Sequence, residues 1–355
     1  MATTTVCTKC VLTSNTPGID FDSHGVCNYC NNYVPMQVQG EDKLKSILDS
    51  FRDQSKKYDC MVCISGGRDS SYTLWKVVND YKMRVLAVNY LLPFTSEQAR
   101  INMQNALNIL GVECISFGYP DGVHKKATQK ALKAWSRRPS SIMIPIVCAH
   151  CKTWWPMAFQ IAREKNISLI IQGSNPLESA GFKKAGFGGA RTYHRISNLP
   201  KIAGKSLKEV FLNPSYLVNC SWGTIAQMYL MSSHSTPYVR WRYKDLTVVR
   251  LFDYLKWNEK EVMSTISDKL GWQKSPEVAS PWRFDCRLDY VRRKMYAKTI
   301  GVSELRDLFS KMIREGQLTK DEALSRLSVE EIVPMSVVDD VLADLDMKAH
   351  ELSLS

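Results

Sequence analysis

Apolar residues recur in two rhythms along this chain. Residues 41–57 (EDKLKSILDSFRDQSKK) place Leu44, Ile47, Leu48 and Phe51 at helical spacing, with a polar opposite face. DCMVCIS (59–65) is instead a short continuous apolar run and predicts a buried strand. It leads through Gly66-Gly67 into a helix carrying SSYTLWKVVND. MRVLAVNYL (83–91) and VECISFG (112–118) predict two more strands. Between them lies a helix at 96–110, opened by Ser96 as N-cap. A further helix leads to a strand in SLIIQG (168–173). Near-continuous apolar strands alternating with helices predict an α/β fold, a doubly wound parallel sheet.

After about residue 175 this rhythm weakens. Residues 179–205 are rich in Gly and basic residues (SAGFKKAGFGGARTYHR) and read as a mobile substrate lid. Residues 206–232 and 246–350 look mainly helical, and SVEEI (328–332) has Ser and Glu in capping-box order. The expected organisation is a Cys-rich segment over 1–35, a nucleotide-binding domain over 36–205 and a mainly helical region over 206–355.

A length of 355 residues suits two domains, or one with appendages. The 45% hydrophobic and 23% charged composition is that of a globular chain with ample core. No apolar run approaches the roughly eighteen residues a membrane span needs. MATTTVCTKC lacks an apolar signal core, so a cytoplasmic protein is expected. Lys and Arg outnumber Asp and Glu by 47 to 35, giving +12. The excess is scattered, and serves equally as a solvated surface or as attraction for nucleotide phosphates, a nucleotide-sugar or RNA.

The most informative stretch is Ser65-Gly66-Gly67-Arg68-Asp69-Ser70-Ser71, set between the first strand and its helix. Two glycines let the backbone turn tightly and approach a ligand. The helix start offers unpaired N–H groups, and Ser65, Ser70 and Ser71 add hydroxyl donors. The spacing is neither that of a Walker A loop nor that of a dinucleotide fingerprint. It resembles the SGGxDS signature of the PP-loop ATP pyrophosphatases. The resemblance implies an adenine nucleotide alpha hydrolase-like fold that grips the pyrophosphate of ATP and transfers AMP to a substrate oxygen. Asp69 would then act with Mg2+, since a carboxylate among phosphates needs a cation between them. Asn89, at a strand end, is a candidate for the nucleotide, as are Gly173 and Ser174 after SLIIQG. Asn175 and Glu178 just beyond are candidates for the chemistry, because open parallel sheets bind ligands at their carboxyl ends.

Eleven cysteines in a chain expected in a reducing compartment suggest metal sites rather than disulfides. Cys7/Cys10 and Cys27/Cys30 have the paired spacing of a four-thiolate zinc knuckle, with turn residues between the pairs. Cys148 and Cys151 form another such pair, and Cys286 stands alone downstream. That spacing resembles sulfur-inserting PP-loop enzymes, in which three thiolates hold a four-iron four-sulfur cluster. A zinc site completed by His150 or His194, or plain structural thiols, remain open beside it. Cys60 and Cys63 sit in one strand, where residues three apart face opposite ways, so they read as core thiols. Cys114 and Cys220 read the same way.

VCTKCVLTSNTPGIDFDSHGVCNYCNNY, ISGGRDSS, VCAHC, IIQGSNP and MIREGQLTKDEALSRL follow one another along the chain. In that order the sequence resembles the N-acetyl sugar amidotransferase family of bacterial surface-polysaccharide (lipopolysaccharide) biosynthesis. The resemblance implies adenylylation of the amide oxygen of an acetamido sugar, then displacement of AMP by ammonia from a separate glutaminase. The small-molecule substrate would be a nucleotide-sugar or similar. A homodimer is carried as an expectation. The competing reading is thiolation of a carbonyl on a nucleobase or small molecule, using a cluster at Cys148, Cys151 and Cys286. The aromatic-basic stretch Tyr238-Val239-Arg240-Trp241-Arg242-Tyr243 keeps a third class in view, a zinc-knuckle RNA-binding module, although the phosphate loop would then lack a purpose.

Overall fold

In the computed structural model the apolar runs become β1 (Cys60–Cys63), β2 (Val85–Tyr90), β3 (Glu113–Phe117) and β4 (Leu169–Gln172). The structure describes residues 4–178, 199–220, 222–231, 234 and 236–354. A fifth strand, β5 (Thr247–Arg250), comes from the stretch expected to be mainly helical. Only four residues long, it has too few positions for a strand rhythm to show, and it forms because β4 offers an open edge. All pairings are parallel, in the order β3-β2-β1-β4-β5. The chain therefore runs outward one way from β1 through β2 to β3, then crosses back to lay β4 on the other side of β1. The loops after β1 and β4 consequently diverge to opposite faces and leave a crevice between them. Parallel sheets of this kind bind their ligands at such a switch point.

Both faces are covered, as parallel strands require. On one, Cys60, Val62, Ala87 and Ile171 join the main core. On the other, Met61, Leu86, Val88 and Ile170 pack on Trp155, Ala158, Phe159 and Ala162 of the helix Trp155–Glu164. Cys60 and Cys63 thus point to opposite sides of β1, and Cys114 and Cys220 pack against the main core. The result is the expected doubly wound parallel α/β class, with a four-cysteine group at the N-terminus and a helical C-terminal region.

Two helix boundaries differ from expectation. The first amphipathic helix spans Glu41–Ser50 and stops short of residue 57. There the Asp53 carboxylate accepts bonds from the backbone N–H and hydroxyl of Ser55, competing with helical pairing. Ser328 opens no helix, because it lies inside Lys320–Glu330. That helix starts earlier, where Thr319 and Glu322 form the reciprocal capping box. The turn Gly316–Thr319 joins it to Glu304–Arg314. Residues 179–198, including His194 and most of the expected lid, lie outside the described residues; from Leu199 the chain is helical to Leu212. No helix among the described residues is long and apolar enough to cross a membrane.

The loop after β1 depends on one steric constraint. Gly66 has φ +78°, and a Cβ there would lie 1.8 Å from the carbonyl oxygen of Ala99. Its own carbonyl accepts a 3.0 Å bond from the buried Trp272 indole. Gly66→Ala is therefore expected to combine a left-handed alanine with a backbone clash, costing about 3 kcal/mol or more. Urea denaturation of the two proteins measures it.

Candidate active site at the carboxyl edge of the sheet

A cleft of about 590 Å³ opens where the β1 and β4 loops diverge. Ser65, Gly67, Arg68, Asp69 and Ser70 line it from the β1 side. Gly173, Ser174, Asn175 and Glu178 line it from the β4 side, and Asn89 lines it from the end of β2. Sheet order brings these separate segments together.

The β1 loop is organised as an anion cradle. Gly67 precedes the helix Arg68–Trp75, and no side chain caps that helix start. Its first N–H groups therefore keep their bonding capacity toward a ligand. The Ser65 and Ser70 hydroxyls are 3.1 Å apart, and Gly67 N–H donates to Ser65 Oγ at 3.3 Å. Ser71 departs from expectation: it is fully buried and lies outside the cleft lining, so its hydroxyl is turned into the core. It sits one helical position past Ser70, which swings it about 100° around the axis. Gly173 lets β4 close on the same helix, since a Cβ there would meet Thr73 Oγ1 at 2.2 Å. Asn175 is buried; its Oδ1 accepts from Leu177 N–H at 2.9 Å, while its Nδ2 has no partner among the described residues. A buried donor of this kind on a cleft wall fits a polar ligand.

Arg68 plays a part the sequence did not disclose. Its guanidinium bonds Asp69 at 3.0 Å, Glu259 at 2.8 Å and Glu178 at 3.2 Å, and lies 4.8 Å from the Trp257 ring. It is 4% exposed and fully committed to protein groups, so it shapes the loop. Asp69 Oδ1 also accepts from Trp257 Nε1 at 3.0 Å. Burial pushes the Glu178 carboxyl up to about 7, although Arg283 and Arg68 pull the other way.

Around Cys286, sequence reasoning missed Arg283 and Asp285, which line the same cleft as the loop. Asp285 accepts a 2.9 Å bond from Ser65 Oγ, and its carboxylate would lie 2.9 Å from a Cβ on Gly67. Burial holds its carboxyl above the usual carboxylate range. Arg283 adopts φ +51° and reaches Glu178 at 3.3 Å. The available signal was a run of charges among aromatics in WRFDCRLDY, but nothing local says which segment it faces.

Cys151 and Cys286 line the far end of this cleft, with Cys148 buried behind them. The neighbouring Cys151 thiol draws the Cys148 thiol down to about 6, although burial pulls the other way. Among the described residues the three sulfurs do not close within 4.8 Å of one another, with or without His150. His150 instead packs 5.4 Å from His124, whose Nε2 lies 3.3 Å from Cys151 Sγ. Among the described residues these thiols thus do not form the close-set group that the N-terminal cysteines do.

Cys7, Cys10, Cys27 and Cys30 do converge, with all four sulfurs within 4.8 Å of one another. Short antiparallel bridges, Val6 with Thr13 and Phe21 with Cys27, bend the segment so that its two pairs meet. The backbone N–H groups of Lys9 and Cys27 donate to Cys7 Sγ at 3.4 and 3.2 Å. Arg314 approaches Cys30 Sγ at 3.4 Å and Cys10 Sγ at 3.9 Å, giving the thiolates a countercharge. Four thiolates with N–H···S support fit a tetrahedral structural ion.

No protein family model matches the chain. An uncharacterized protein of Methanocaldococcus jannaschii is 28% identical over 107 residues, 29% of this chain; the match spans 38% of that relative's length. NMN synthetase from Francisella tularensis aligns over 81% of this chain and 89% of its own, at 13% identity and a TM-score of 0.38. U34-tRNA thiolase NcsA from Methanococcus maripaludis, solved with its 4Fe-4S cluster, aligns over 89% of this chain and 88% of its own, at 13% identity and a TM-score of 0.33. Similarity this loose carries no argument, so the reading of the site rests on its own geometry.

Arg68→Met should leave Glu178 and Glu259 with one cation fewer in a buried place, costing about 3 kcal/mol in urea denaturation. Adding Glu259→Gln should recover part of that loss. Cys10→Ser should lose the bound metal, read by elemental analysis of the purified protein, and lower the melting temperature, because metal binding feeds folding energy.

Proposed function

We propose that this chain is an AMP-forming PP-loop enzyme that activates a carbonyl oxygen with ATP. The observation carrying this is the pairing, at the β1/β4 switch point, of an uncapped helix start and serine hydroxyls with the buried, unpartnered Asn175 amide. In this reading the cradle of Ser65, Gly67 and Ser70 receives the leaving pyrophosphate. The substrate oxygen attacks the α-phosphorus, the new O–P bond forms, and the α–β bridge breaks with its electron pair leaving on pyrophosphate. The donors act where charge develops, which is where they lower the barrier. Asp69 and Asp285 would hold magnesium, which supplies charge neutralisation. The four N-terminal thiolates would hold zinc as a structural fastener.

The finer proposal is an amidotransferase. The ordered run of motifs resembling the N-acetyl sugar amidotransferases supports an acetamido group as the acceptor. Its adenylylated oxygen leaves as AMP after ammonia adds to the carbon, and loss of a proton yields an amidine. Ammonia would come from a separate glutaminase. A second reading, thiolation of a carbonyl with hydrosulfide as the nucleophile, is favoured by Cys151 and Cys286 on the cleft wall. Those thiols, with Cys148, would hold an iron–sulfur cluster.

Incubation with Mg2+, ATP and candidate substrates, with ammonium or with sulfide, tests both. AMP and pyrophosphate are the expected products, and formation of ADP alone overturns the proposal. An amidino product assigns the first reading; a thiocarbonyl product from an anaerobic brown protein assigns the second. Ser70→Ala, which removes one cradle hydroxyl, should slow AMP formation about 10²-fold with the fold retained by circular dichroism.

A further inference from the structure

The Asp285 carboxylate sits against the anion cradle itself. Ser65 Oγ, one of the hydroxyls that would face pyrophosphate, already donates to Asp285 Oδ2 at 2.9 Å. The same oxygen would be 2.9 Å from a Cβ on Gly67, so it stands directly over the glycine that opens the helix. Its backbone is pinned there. Ser96 N–H donates to the Asp285 carbonyl at 3.2 Å, Arg287 N–H donates to the Phe94 carbonyl at 2.8 Å, and Cys286 bridges to Thr95. The segment is clipped to the start of the helix Glu97–Leu110, which fixes its backbone, and the Ser65 bond holds the carboxylate.

A fixed anion and an incoming polyphosphate cannot share these donors comfortably. Like charges a hydrogen-bond length apart repel, and the repulsion grows where water is excluded. A divalent cation between them reverses the sign, because carboxylate and phosphate oxygens then become its common ligands. We propose that Asp285 makes nucleotide binding depend on magnesium, rejecting the metal-free nucleotide and accepting the metal complex. The proposal rests on the nucleotide-binding reading above. It assigns to this carboxylate a selectivity among forms of the same ligand. Asp69 is less suited to that task, because its Oδ1 is already engaged by Arg68 and Trp257.

The test is ATP binding to the full-length protein by calorimetry, in excess Mg2+ and in EDTA, for wild type, Asp285→Asn and Asp285→Ser. Inorganic pyrophosphate under the same two conditions isolates the cradle from the rest of the nucleotide. For both ligands the wild type is expected to bind at least about tenfold more tightly with Mg2+. In Asp285→Asn that ratio is expected to fall to about twofold or less, mainly through tighter binding in EDTA. Asp285→Ser carries the comparison if the amide variant does not fold, with circular dichroism as the check. A variant that keeps the wild-type ratio, or a wild type with no magnesium effect, overturns the role of Asp285. If the wild type binds neither ATP nor pyrophosphate under either condition, the nucleotide-binding reading itself falls.

Discussion

A chain of alternating charges, buried or half-buried, holds the cleft together. It runs Glu330–Arg326–Glu259–Arg68–Glu178–Arg283–Glu304–Arg292–Asp289–Arg293, with closest contacts between 2.6 and 3.5 Å. Removing such groups from water is costly, and the chain persists because each internal member has an opposite charge on both sides. Its members come from the β1 loop, the β4 loop, the segment 281–287 and four C-terminal helices. It therefore ties the carboxyl edge of the sheet to the helical region through electrostatics, where loops alone would leave the parts free to shift.

This arrangement explains why the second residue after Gly66 is an arginine whose guanidinium is bound by three carboxylates. The loop must keep its backbone N–H groups open, so it cannot use them to fix itself. Arg68 does the fixing from behind, against Trp257 and three carboxylates. Steric fit does the rest: Gly66 against Ala99, and Gly173 against Thr73. The cleft is thus preformed around a cradle whose donors face inward, a condition for stabilising charge without reorganisation.

Two groups of cysteines take different places in this scheme. The N-terminal four gather on a small separate cluster with Leu12 and Val26, braced by Arg314 from the C-terminal region. Of the other three, Cys151 and Cys286 line the cleft, and among the described residues the three do not converge as the first four do. Spacing in sequence looked alike for Cys7/Cys10 and Cys148/Cys151. What separates them is the second pair, which the N-terminal bridges bring into reach and which Cys286 alone does not supply.

The sequence by itself determined the short-range features. The strand and helix rhythm, the Ser96 cap, the bend at Gly66-Gly67 and the fourfold thiol spacing each depend on residues close in the chain. Only the tertiary structure decided that β4 lies beside β1, that Thr247–Arg250 completes the sheet, that Ser71 faces the core, and that Asp285 stands over Gly67. The physical reason is range. Periodicity and turn chemistry act within a few residues, whereas strand order and charge pairing are settled by which distant surfaces exclude water together, and no local window of sequence contains both partners.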